Sequence, residues 1–129
     1  MPRATYDTRF FVEHYYSGDA QVTGSTTNEI RREKEKAISS IVLHEVYRLT
    51  LQKDGRQTAR LRTGLLRKDF KVIPVDEELA VTSAELRQEY HISIADSIIA
   101  ATASSLRAVC VTDDPHIRGI REVKTRWIT

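Results

Sequence analysis

The chain has 129 residues, 40% of them hydrophobic, with a net charge of only +2; that length suits one compact domain over 1–129, burying about two-thirds of the surface its unfolded form exposes. A single cysteine, Cys110, excludes an intramolecular disulfide and any Cys-based zinc ribbon. No run approaches the roughly 20 apolar residues that a bilayer span needs, and Met1-Pro2-Arg3-Ala4 leads into no apolar signal region, so the expectation is a cytoplasmic, unexported chain with no membrane partner.

In chain order, Arg3 to Asp7 reads as a short, weak strand and Thr8 to Tyr16 as a helix ended by Ser17-Gly18-Asp19. Ser25-Thr26-Thr27-Asn28 offers caps for a charged helix through Lys36. Ile38, Ile41, Val42, Val46 and Leu49 follow one helix face to about Lys53, and Gly55 breaks the chain before an Arg-rich helix from Gln57 to Lys68. Phe70 to Val75 is strand-like. Asp76 caps a helix to about Tyr90, Ser93 opens another around Asp96, Arg107 to Thr112 is a buried-type strand, a short helix follows Pro115, and Val123 to Ile128 is a last strand. Strands alternating with helices predict a three-layer α/β/α fold. Its central sheet would be mainly parallel, with four to five strands and a ligand crevice beyond their carboxyl ends.

Four acids stand in unusual settings. Asp96 is the only charged residue between His91 and Arg107, and a carboxylate buried in such a run needs a cation or a set of donors. A capping box with Ser93 is the ordinary account of it. Glu45 falls on the apolar stripe of its helix, where a snorkelling or salt-bridged Glu is the alternative. Asp114 before Pro115 and Asp7 before Thr8 sit at strand ends, and both also suit helix caps, with Asp113 as a turn residue. In a parallel sheet all four would meet at one edge and repel one another. Such a nest calls for a divalent ion, and oxygen ligands suit Mg²⁺ or Mn²⁺, ions able to activate water and neutralise charge on a phosphodiester. His44 and His116 read as surface residues beside these segments. Charge is also uneven along the chain: Arg48 to Lys71 holds eight basic residues against Asp54 and Asp69, leaving the remainder net acidic, which suits contact with a polyanion, although a solvated helix face is the ordinary account of any single Lys or Arg there.

Tyr6-Asp7-Thr8, Ser40-Ile41-Val42-Leu43-His44-Glu45-Val46, the run Ile94 to Ala103 around Asp96, and Val111-Thr112-Asp113-Asp114 together resemble the PIN-domain nucleases, especially the VapC-like toxin ribonucleases of prokaryotes. The resemblance spans essentially the whole chain. It implies a metal-dependent endoribonuclease acting on single-stranded RNA, with Asp7, Asp96 and Asp114 as Mg²⁺ or Mn²⁺ ligands and Glu45 completing the shell or orienting the attacking water. It further implies support from Thr8, Ser40 and Thr112, a cognate antitoxin, and a homodimer for which Phe10, Phe11, Tyr15, Tyr16 and Tyr47 are contact residues unless they pack in the core. Arg48, Arg56, Arg60 and Arg67 are the expected RNA contacts. Two departures from the family pattern concern packing: the modest apolarity of Ala4-Thr5-Tyr6, and Ile117 where Phe is frequent.

Phosphotransfer folds that gather acids at strand ends fit less well. A receiver expects its acidic pair after the first strand, and a dehalogenase-like phosphatase expects Asp-x-Asp where this chain has Asp7-Thr8-Arg9. The remaining alternative is a catalytically idle module that keeps the fold and holds RNA or a protein on the basic stripe.

Overall fold

The computed structural model describes residues 2–128. Five strands, β1 (Ala4–Tyr6), β2 (Lys36–Ser39), β3 (Lys71–Ile73), β4 (Val109–Val111) and β5 (Thr125–Arg126), form one sheet in the order β3-β2-β1-β4-β5, parallel at every pairing. Seven helices complete a three-layer α/β/α fold: α1 (Thr8–Tyr16), α2 (Ala20–Arg32), α3 (Ser40–Asp54), α4 (Arg56–Asp69), α5 (Glu77–Tyr90), α6 (Ile94–Leu106) and α7 (Pro115–Arg118). Among the described residues no helix is long and apolar enough to cross a membrane.

Covering a parallel sheet on both faces removes the alternation expected of a half-wet strand. Ala4, Thr5 and Tyr6 are accordingly all buried. The polar groups of this strand are satisfied internally, Tyr6 donating to Glu29 Oε2 at 2.6 Å. α6 lies against β1, β2 and β4, and its residues from Ser97 to Ala103 are buried without interruption. Phe10, Phe11 and Phe70 close around Tyr6 with edge-on and tilted ring contacts, and Ile117, fully buried, fills the position where a larger ring was expected.

The structure corrects several expected boundaries. α2 starts at Ala20, capped by Asp19, whose carboxylate accepts the Gln21 N–H. Of the residues expected as caps, Thr26 is instead buried within the helix, where its hydroxyl donates to Thr23 O. The helix expected from Ile38 starts at Ser40, because Lys36–Ser39 form β2. Ile38 satisfies either periodicity, and the strand passes into the helix without a loop, Ser39 turning the chain by accepting the Ile41 N–H. Phe10 and Phe11 are 0% and 1% exposed, so they belong to the core and not to an outer contact surface.

β1 is flanked by β2 on one side and β4 on the other, so the strand order reverses beside it. Chain leaving β1 and β4 must diverge there, opening a crevice at their carboxyl ends.

Candidate active site

Asp7 leaves β1 into that crevice, its N–H bound to Val111 O at 3.2 Å. It occupies the N-cap position of α1 but makes no capping bond with its side chain. Oδ2 instead accepts from the Thr112 hydroxyl at 2.6 Å, and the same hydroxyl oxygen accepts the Asp114 N–H at 3.0 Å. Thr112 therefore fixes two of the acids relative to each other. Asp7 is only 3% exposed. Burial pushes its carboxyl up to about 6, the Thr112 hydrogen bond opposes this, and the nearby Asp114 and Asp96 charges push it further up.

Asp96 stands in the first turn of α6, its N–H bound to Ser93 Oγ at 3.1 Å. Among the described residues the reciprocal half of a capping box, a bond from the carboxylate to the Ser93 N–H, is not made. Its side chain is 16% exposed, and burial, then Asp114, raise its pKa, with a smaller contribution from Glu45. Glu45 reaches the same region from α3 and accepts from the Thr8 hydroxyl. Asp114 caps α7, accepting the His116 N–H at 2.8 Å. The four acids expected from the sequence thus converge from β1, α3, α6 and the end of β4. Their charges raise one another's proton affinity at Asp7 and Asp96.

Three further side chains border the cluster. His116 is a surface residue beside the site, as expected, and its Nδ1 lies 3.5 Å from Asp114 Oδ1 and 3.7 Å from Asp96 Oδ2. Arg9 grips Asp113 through Nε and Nη2, each at 3.1 Å, a pairing across 104 positions that no local pattern announces. That ion pair holds Asp113 below the usual carboxylate range. His116 did carry a faint signal, since the residue two past a capping Asp brings its backbone, and so its side chain, beside the cap.

The basic residues divide. A groove of about 310 Å³ beside the cluster is lined by Thr8, His44, Glu45 and Arg48. Across the His44–Arg48 ridge of α3, a second groove of about 600 Å³ is lined by Ser40, Tyr47, Arg48, Arg60 and Arg67. Ser40 thus faces the second groove, and it is Ser39 that turns the chain into α3. Arg56 is exposed at the start of α4 and lines neither. Arg62 is withdrawn into the structure, bound to Tyr16 and Thr50. A separate cavity of about 490 Å³ between α2 and residues 126–128 contains none of the four acids.

Residues 5–123 match the sequence model of the PIN domain. The chain belongs to the PIN-domain family. Solved structures similar to this PIN domain include a toxin–antitoxin complex from Klebsiella pneumoniae, 27% identical, with a TM-score of 0.73 over 93% of this chain and 94% of that one. DNA-bound VapBC from Salmonella typhimurium is 18% identical, with a TM-score of 0.80 over the whole of both chains. The sarcin–ricin loop cleaving toxin VapC20 of Mycobacterium tuberculosis is 20% identical, with a TM-score of 0.72 over 93% of this chain and 98% of that one. No curated protein matches the chain.

Proposed function

We propose that this PIN domain is a Mg²⁺- or Mn²⁺-dependent endoribonuclease that hydrolyses single-stranded RNA, and that it is the toxin of a toxin–antitoxin pair. The observation that carries the reading is the convergence of Asp7, Glu45, Asp96 and Asp114, with Asp7 almost fully buried and penalised by its neighbours' charges. Like charges gathered this closely in a half-buried crevice favour a counter-cation, and an all-carboxylate donor set is the one hard divalent ions accept. Asp7, Asp96 and Asp114 would hold it, with Glu45 beside them. When bound, such an ion supplies charge neutralisation at a phosphodiester and activation of water.

The chain's own residues set the geometry. Thr112 locks Asp7 to the backbone of Asp114, and Thr8 aims Glu45, which in this reading orients the attacking water. No protein nucleophile is required; the lone thiol, Cys110, is buried and pushed up to about 12 by that burial and by Asp7. The grooves on either side of the His44–Arg48 ridge supply the path for RNA, its phosphates meeting Arg48, Arg60 and Arg67, with Arg56 further out. Assignment as a toxin with an antitoxin partner draws on the similar structures from toxin–antitoxin complexes, and RNA as substrate draws on the sarcin–ricin loop cleaving toxin. A homodimer is part of the same reading, with Tyr47 on an accessible face.

Incubation of defined single-stranded RNA with wild type and Asp96→Asn, with Mn²⁺ or with chelator, tests the proposal. Expected is metal-dependent cleavage that drops at least about 100-fold in the variant. RNA binding without cleavage by wild type in either metal would overturn it in favour of an idle binding module. Growth arrest on expression, with mapping of the new RNA 5′ ends, tests the toxin assignment.

A further inference from the structure

His116 is 70% exposed in its side chain, yet its Nδ1 faces two carboxylates brought by different elements. The backbone explains one of them. Asp114 caps α7 by accepting the His116 N–H, which sets the side chain of residue 116 beside the cap. Asp96 arrives independently on α6. One ligand atom from each of Asp96, Asp114 and His116 lies within 4.8 Å of the other two, a spread compatible with three donors about 2.1 Å from one shared ion after small side-chain rotations.

We propose that His116 is a ligand, through Nδ1, to the cation held by Asp96 and Asp114, and that it makes the site prefer Mn²⁺ to Mg²⁺. The inference rests on the acid cluster being a metal site and goes beyond it by naming a nitrogen donor and the ion preference that donor imposes. Mg²⁺ demands oxygen ligands and gives up its waters reluctantly, so replacing one oxygen by an imidazole nitrogen penalises it more than Mn²⁺, which, although also suited to carboxylates, belongs to the transition series whose ions accept nitrogen. An imidazole also completes a coordination sphere without adding charge to a nest that already holds four acids. With most of its surface in solvent, the ring has room to turn onto an ion.

Titration calorimetry of the chain with MnCl₂ and with MgCl₂, together with electron spin echo envelope modulation of the bound Mn²⁺, tests the proposal on wild type, His116→Gln and Asp96→Asn. Expected is nitrogen modulation in wild type that is lost in His116→Gln. Mn²⁺ affinity should fall about tenfold or more, at least the loss that follows removal of an outer-shell partner, while Mg²⁺ affinity changes much less. Thermal melts of His116→Gln in chelator should overlay wild type, since the residue is exposed. Bound Mn²⁺ without nitrogen modulation, or unchanged Mn²⁺ affinity in His116→Gln, overturns the role of His116 and leaves the acid cluster as a metal site. Wild type that binds neither ion, or Asp96→Asn that binds both as wild type does, overturns the metal-site reading and this inference with it.

Discussion

Asp7 carries a carboxyl pushed up to about 6 from an ordinary 3.8, chiefly by burial. A folded-state pKa above the unfolded one means that the folded chain binds more protons between those values, so stability falls as pH rises through about 4 to 6 and stays reduced above. Asp7→Asn keeps an acceptor for the Thr112 hydroxyl and removes the buried charge. In chelator at pH 7 the variant should be more stable than wild type by up to about 3 kcal/mol, at roughly 1.4 kcal/mol per unit. The gap should narrow as pH drops through 6 and close below about 4. Urea unfolding at several pH values measures it, and a wild type more stable than the variant at pH 7 would contradict the assignment of burial as the cause. Thr112 serves Asp7 and Asp114 at once, so Thr112→Val, which leaves a buried carboxylate short of its donor, should destabilise by about 1–3 kcal/mol. Thr112→Ser should restore most of that loss, because the hydroxyl and not the methyl makes both bonds.

Among the described residues five of the seven helices begin at a capping side chain. Asp76 accepts the Leu79 N–H, Ser93 the Asp96 N–H and Asp114 the His116 N–H, each satisfying a helix-start donor that has no partner inside the helix. These three starts were legible because a cap and its helix are neighbours in sequence. The junction at Ser39 was not, since a four-residue strand runs straight into the helix with no loop between them, and Ile38 before the cap continues the spacing of Ile41 and Val42 after it. Gly55 divides α3 from α4 at a φ of 89°, where a side chain is disfavoured. A Cβ added there would meet nothing within 4 Å, so the cost of Gly55→Ala is purely one of backbone conformation. It should destabilise by about 1 kcal/mol without altering RNA cleavage, as thermal melts and a nuclease assay on the same sample would show.

Across the whole molecule, charge that is contiguous in sequence is split between two tasks. Arg62 lies 4.1 Å from the Tyr15 ring, donates to Tyr16 at 2.8 Å and Thr50 at 3.2 Å, and pairs with Asp54 at 3.5 Å, tying α1, α3 and α4 together. Arg48, Arg60 and Arg67 remain exposed along the groove. Arg62→Ala should therefore destabilise by about 2 kcal/mol through lost cation–π and hydrogen-bond contacts. Alanine at Arg48, Arg60 or Arg67 should instead leave stability within about 0.5 kcal/mol and each reduce the slope of log affinity for RNA against log salt by about 0.7. A salt slope that responds to Arg62 and ignores the other three would reverse this division.

The sequence by itself determined the alternation of strand and helix, the parallel three-layer arrangement that follows from it, the presence of Asp7, Asp96 and Asp114 at or near element ends, and the place of Glu45 on the apolar stripe of its helix. Those features depend on periodicity and capping, which act over a few residues. Tertiary structure alone decided that Thr112 bridges Asp7, that Arg9 holds Asp113, that Asp96 joins Asp114 beside His116, and that Arg62 leaves the basic face. Each of these depends on which strands lie side by side and in what register. Burial of the whole sheet between its helices sets that arrangement, and no stretch of chain encodes it locally.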